Sequence, residues 1–162
     1  MTVSSSSAQR IEAYIGLGAN LGDRRRAIGR ALDAIDALPD TRVVDVSDQY
    51  ETEARFVEDQ PDFINACARI STALEPQRLL DSLLAIERAM GRVRGVDKGP
   101  RVIDLDILLY GERIVESEGL TIPHRDLHNR RFVLEPLADI AADVVHPKLD
   151  ATVHELLGRI LR

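Results

Sequence analysis

Two carboxylates stand two residues apart in the segment Gly99-Pro100-Arg101-Val102-Ile103-Asp104-Leu105-Asp106-Ile107-Leu108-Leu109-Tyr110-Gly111. Acidic and apolar residues alternate there with the period of a strand, so Asp104 and Asp106 face one way and Ile103, Leu105 and Ile107 the other. Two adjacent carboxylates repel unless a cation lies between them. An oxygen-only pair suits a hard ion, Mg2+ or Ca2+, better than zinc. Mg2+ is usually held by one or two carboxylates together with substrate phosphates, so the pair reads as half of a magnesium–nucleotide site. An isolated Asp-x-Asp is more often the solvated face of a strand, and it is the flanking residues that shift the balance.

Four cations, Arg92, Arg94, Lys98 and Arg101, stand just upstream. Guanidinium forks bind phosphate oxygens bidentately. Alone they would read as a charged surface loop; directly before the acidic strand they suggest a triphosphate site, with cations on one side and metal-binding carboxylates on the other. Downstream come Thr121-Ile122-Pro123-His124 and Asn129-Arg130-Arg131-Phe132. His124 is a candidate phosphate ligand, acid or base, or a hydrogen-bonding turn residue. His128, His146 and His154 show no ligand spacing. Gly16-Leu17-Gly18-Ala19-Asn20-Leu21-Gly22-Asp23 suits close backbone approach to a ligand, or simply a tight turn and a helix cap. It is not the dinucleotide fingerprint, since its third glycine comes one residue late, and neither lysine, Lys98 or Lys148, completes a Walker A loop. Phe63 and Phe132 are ordinarily core residues. They are also candidates to sandwich a flat heterocycle whose edge a side-chain amide such as Asn65 would read.

The elements that must position these groups follow from periodicity. Strands are expected over 12–18, 41–52 (with Val44 and Val46 on one face), 63–74 and 102–110, and a short one over 120–123. Helices are expected over 23–38, from Pro76 to about Met90, within 127–141 (with Pro136 interrupting it or in its first turn), and over 154–161 behind a Thr152 cap. The polar stretch 53–62 reads as a mobile loop. The order β-α-β-β-α-β with C-terminal helices predicts an α+β fold: a ferredoxin-like sandwich, mainly antiparallel sheet with helices packed on it. Residues 1–10 are expected to be a disordered Ser-rich tail and 11–162 a single domain, which a chain of 162 residues fits. The net charge of −6 disfavours nucleic-acid binding. No segment resembles a membrane span or signal peptide, and the single cysteine, Cys67, excludes an intrachain disulfide. A cytoplasmic monomer is the expectation.

Taken in order, these segments resemble the 6-hydroxymethyl-7,8-dihydropterin pyrophosphokinase family, from Tyr14-Ile15-Gly16-Leu17-Gly18-Ala19-Asn20 through Gln60-Pro61-Asp62-Phe63-Ile64-Asn65, Ile86-Glu87 and Gly91-Arg92-Val93-Arg94 to the acidic strand and Ile122-Pro123-His124. The resemblance implies transfer of pyrophosphate from ATP to the hydroxymethyl group of the dihydropterin, with AMP released. It implies that Asp104 and Asp106 bind two Mg2+ ions bridging the ATP phosphates. Arg92 and Arg101 would neutralise the transferring group, making these four the catalytic set. Arg94, Thr121, His124, Arg130 and Glu87 would contact ATP. The pterin would stack between Phe63 and Phe132, with Asn65, Thr52 and Asn20 on its edge and Gly18 allowing close approach.

The chain departs from the family pattern in three places. Lys98 stands where a Trp often precedes Gly-Pro-Arg. The segment after Thr52 lacks the usual Pro and Gly. Gly119 replaces a basic residue often found before Leu-Thr-Ile-Pro-His. Two other readings compete. A noncatalytic ferredoxin-like module would show no Mg2+-dependent ATP binding, and another ATP-dependent transferase would be told apart by its nucleotide product.

Overall fold

The computed structural model describes residues 9–52, 62–91 and 102–161. β1 (Ile11–Ala19) leads into the glycine-bearing turn and then α1 (Arg24–Asp36). The Asp23 carboxylate caps that helix by accepting from the Arg26 amide at 3.2 Å. β2 (Thr41–Val46), β3 (Tyr50–Thr52) and β4 (Phe63–Thr72) follow, then α2 (Pro76–Ala89) with proline at its start, and the acidic strand β5 (Asp104–Tyr110). The main sheet runs β2-β4-β1-β5 with every neighbour antiparallel, and β3 also pairs with β4. This is the ferredoxin-like strand order, as expected for an α+β chain with two β-α-β crossovers.

The sheet has two differently covered faces. Ile15, Leu17, Ile64, Ala66, Ile70, Leu105 and Ile107 pack against α1 and α2 through Ile28, Ile35, Leu79 and Leu83. On the other face Tyr14, Cys67 and Leu108 meet α3 (Arg131–Ala141), with Leu134 and Leu137, and α4 (Val153–Leu161), with Leu156. α4 begins with a capping box: the Glu155 amide donates to Thr152 Oγ1 at 3.0 Å and the Thr152 amide to Glu155 Oε1 at 2.9 Å.

Four details differ from expectation. The strand expected over 41–52 is two strands. A bulge lies between Val43 and Asp45, and Ser47 then turns inward, its hydroxyl accepting from the Cys67 amide at 2.8 Å, so pairing resumes only at Tyr50. That bulge falls at Val44 and breaks the alternation expected to put Val44 and Val46 on one face, and both are exposed, at 38% and 39%. Pro136 lies inside α3, beyond its first turn. The carbonyl of Phe132 thereby loses its helical donor, which burial of Leu134, Pro136 and Leu137 offsets. Finally, Leu120–Ile122 is indeed a strand (β7), but it pairs with an unforeseen β6 (Val115–Ser117), and β8 (Val145–His146) pairs with β9 (Ala151–Thr152).

At the free side of β2 the Val43 amide donates to the Asp36 carboxylate at 2.8 Å, which blunts an otherwise sticky edge. Of the expected tail, residues 1–8 lie outside the described residues, while Arg10 donates to the carbonyls of Asp40 and Ser71 at 3.1 and 3.3 Å. Among the described residues no helix is long and apolar enough to cross a membrane.

Gly111 ends the acidic strand at φ +52°, and a Cβ there would lie 2.9 Å from Ile11 Cγ2. Gly111→Ala should therefore destabilise the fold by about 1–3 kcal/mol in chemical denaturation, whereas a loss below about 0.5 kcal/mol would show that the turn relaxes freely.

Candidate active site

The register of β1 with both neighbours assembles the site. Gly18 lies opposite Asn65 of β4 on one side and Asp104 of β5 on the other. Two residues along, Gly16 lies opposite Cys67 and Asp106. Directly paired residues of antiparallel strands project from the same face, so Asn65, Asp104 and Asp106 share one face with two glycines between them. The row continues into β3, where Tyr50 pairs with Asn65 and Thr52 with Phe63.

A side chain at position 18 would crowd its neighbours. A Cβ there would meet Asn65 Oδ1 at 3.1 Å and Phe63 Cδ1 at 3.9 Å. The Asn65 amide in turn donates from Nδ2 to Thr52 Oγ1 at 2.9 Å, which fixes the direction of its carbonyl oxygen. Asn20, at the end of the same strand, is completely buried. The structure thus brings together Gly18, Thr52, Phe63 and Asn65. Phe132 is on the first turn of α3, the helix covering this face, with the Arg130 guanidinium 5.6 Å from its ring centre.

Asp104 and Asp106 are half-buried at the edge strand β5. Between them the Leu105 amide points away from β1 and donates to Glu87 Oε2 at 2.7 Å. Glu87, only 2% exposed, comes from the last turn of α2. Its carboxylate therefore holds the backbone that joins the two aspartates, a contact that no spacing rule pointed to.

His124 reaches the same edge through its backbone, the His124 amide donating to the Leu108 carbonyl at 3.0 Å. Its Nδ1 accepts from the Asp126 amide at 3.2 Å, so the neutral ring carries its proton on Nε2 and presents a donor there. Burial first, and then the Arg130 charge, push the imidazole pKa below its ordinary value, while Asp126 and Asp104 pull it up. Arg130 is itself paired with Asp126 at 3.1 Å. Thr121 lies in β7, which packs beside β5. The expected phosphate ligands Arg92, Arg94, Lys98 and Arg101 lie outside the described residues, as does 53–61 of the expected loop. Gly119 has φ +83° in the β6–β7 turn, a local reason for glycine where the family often has a basic residue.

On this same face the Tyr50 hydroxyl donates to Asp139 of α3 at 2.8 Å, while the other Asp139 oxygen accepts from the Asp48 amide at 3.1 Å. The hydrogen bond to the Asp139 carboxylate, chiefly, raises the Tyr50 pKa to about 12. A phenol whose folded pKa is raised adds stability that is complete below about pH 10 and lost as pH climbs through about 12. Between those values the parent protein should lose stability more steeply than Tyr50→Phe in pH-dependent denaturation; parallel curves would mean that the bond does not persist in solution.

Known proteins resemble this chain in sequence and in fold. The family model described as 7,8-dihydro-6-hydroxymethylpterin-pyrophosphokinase (HPPK) matches residues 14–142. The chain is 50% identical to a Haemophilus influenzae 2-amino-4-hydroxy-6-hydroxymethyldihydropteridine pyrophosphokinase, over 85% of this chain and 86% of that one. It is 48% identical to its Pseudomonas aeruginosa counterpart, over 83% of each. It also matches the Schizosaccharomyces pombe folic acid synthesis protein fol1 at 44% identity, over 91% of this chain, but spans only 20% of that longer protein. A crystal structure of Plasmodium falciparum HPPK-DHPS with pteroate shares the fold at a TM-score of 0.74 and 15% identity, over 93% of this chain and 42% of that one. On the family match and these identities, the chain belongs to the 7,8-dihydro-6-hydroxymethylpterin-pyrophosphokinase family.

Proposed function

We propose that this chain transfers pyrophosphate from ATP to the hydroxymethyl group of 6-hydroxymethyl-7,8-dihydropterin, giving the pterin diphosphate and AMP in folate biosynthesis. The observation that carries the reading is the row Asn65–Gly18–Asp104. It sets an amide suited to a heterocycle edge one strand away from a carboxylate pair suited to a metal-bound triphosphate.

The pair fits magnesium by its donor chemistry. Both candidate donors are carboxylate oxygens on one face of β5, and neither is fully buried. Mg2+ is usually held by one or two carboxylates together with phosphate and water, so substrate phosphate and water would supply the remaining ligands. Bound Mg2+ would neutralise phosphate charge and orient the triphosphate.

The chain's own residues would do the rest by positioning and charge neutralisation, which is most of what phosphoryl-type transfer needs. Phe63 and Phe132 would hold the pterin ring from its faces, and Asn65 and Thr52 would fix its rotation. The neutral His124 would donate from Nε2 to a phosphate oxygen without adding charge. Arg92 and Arg101 would balance the transferring group, with Arg94, Thr121 and Arg130 holding the rest of ATP. The hydroxyl proton needs an acceptor, and Asp106 is a candidate. Glu87 would act on ATP through the Asp104–Asp106 backbone. The capped β2 edge favours a monomer.

Incubation with ATP, Mg2+ and the pterin should yield AMP, and only when the pterin is present. Asp104→Ala should lower turnover by at least about 100-fold, the scale of losing one electrostatic contact to the transition state. ADP as product, or AMP formed equally by Asp104→Ala, would overturn the reading. Asp106→Asn separates two roles. Lost Mg2+ affinity marks a metal ligand, whereas retained affinity with lost turnover marks the proton acceptor.

A further inference from the structure

α1 opens with Arg24, Arg25 and Arg26 and has no acid in its first turn. That is the wrong charge for a helix N-terminus, where the macrodipole favours anions. Two of the three side chains lean away from the helix instead. Arg25 Nη1 donates to Gln49 Oε1 at 2.7 Å. Arg24 Nη1 donates both to Glu51 Oε2 at 3.0 Å and to the Asp62 carbonyl at 2.6 Å.

The two Arg24 acceptors lie in different strand ends. Glu51 immediately precedes Thr52, and Asp62 immediately precedes Phe63. Thr52 and Phe63 are the last paired residues of the β3–β4 ladder. β3 has three residues, so few ladder bonds hold its end, and strand ends fray without other ties. The Arg24 side chain is 27% exposed and that of Glu51 49%, so the ion pair itself is a screened surface contact, and the clasp depends on the same guanidinium also holding the Asp62 carbonyl. The Asp23 cap fixes where the helix starts, so Arg24 reaches from a rigid anchor.

We propose that Arg24 is a positioning residue for the pterin pocket: a clasp from α1 that sets how Thr52 and Phe63 are presented. This rests on the reading that Thr52, Phe63 and Asn65 form that pocket. The guanidinium is assigned no contact with either substrate. It acts through Glu51 and the Asp62 carbonyl, and its loss should be felt by the pterin and not by ATP.

The test measures pterin binding by fluorescence, with Mg2+ and a non-hydrolysable ATP analogue present, alongside the affinity for the analogue alone. Arg24→Ala should weaken pterin binding by about tenfold and leave analogue affinity within about twofold. Glu51→Gln should weaken pterin in the same direction, and the double variant should lose less than the sum of the two, since both remove one interaction. Arg24→Lys, which keeps a charged donor, should recover part of the loss. Phe63→Ala tests the pocket separately. If Phe63→Ala loses pterin while Arg24→Ala and Glu51→Gln bind it like the parent, the clasp is overturned and the pocket stands. If Phe63→Ala binds pterin normally, the pocket reading fails and takes the clasp with it. Equal losses for pterin and analogue in Arg24→Ala would also overturn the proposal, because they mark a general structural role.

Discussion

Everything in this site depends on one strand that lacks side chains where its neighbours have them. β1 pairs at Gly18 with Asn65 and Asp104, and at Gly16 with Cys67 and Asp106. The central strand adds no side chain to this surface, so those of its neighbours, Leu108 beside Gly16 and Asn65 beside Gly18, lean over it. The tolerance is small: a Cβ on Gly16 would lie 3.3 Å from Leu108 Cδ2, and one on Gly18 only 3.1 Å from the Asn65 oxygen. A Cβ at either place would press on Leu108 or on the Asn65 amide, which would have to shift to admit it. Two strands that bring different chemistry are thus held one strand-width apart on each side of a bare centre.

The rest of the fold serves that surface from both sides. α1 and α2 close one face with aliphatic packing, which fixes β4, β1 and β5 as a rigid platform. α3 covers the Tyr14–Cys67–Leu108 end of the other face and leaves the Asn65–Asp104 end to the site. Cys67 illustrates the boundary. It lies beside Gly16 yet is completely buried, and that burial raises its thiol pKa well above the ordinary range, so it is packing and not chemistry. At the β5 edge, Glu87 crosses from α2 to bind the amide between the two aspartates. A buried carboxylate is costly unless hydrogen-bonded, and its partner here is the backbone whose geometry decides where the acidic pair points.

How much of this was legible beforehand varies with the kind of information. Alternation around Asp104 and Asp106 and the helical spacing of Leu79, Leu83 and Ile86 report local periodicity, and the strand order followed from the order of elements. Thr152 and Pro76 are terminus signals that need only their neighbours. What periodicity cannot report is where a side chain interrupts a distant backbone. Ser47 breaks a strand because its hydroxyl takes the Cys67 amide, twenty residues away. For Glu87 the resemblance implied a contact with ATP, while its bond to the Leu105 amide depends on Leu105 being in an edge strand. Arg24 and Tyr50 act across the sheet from chain-distant positions. Pro136 misled in another way, because burial on α3 outweighed its missing amide. The family resemblance named most of the candidate site; the arginines that it assigns to phosphate lie outside the described residues.

The central claim is that pterin and triphosphate meet on the Asn65–Gly18–Asp104 face. The most direct measurement is a crystal structure of the protein with Mg2+, a non-hydrolysable ATP analogue and the dihydropterin. The account predicts the pterin ring between Phe63 and Phe132 with Asn65 on its edge, and metal ions joining the analogue's phosphates to Asp104 and Asp106. A pterin bound elsewhere, or a triphosphate whose metal ions avoid both aspartates, would contradict it.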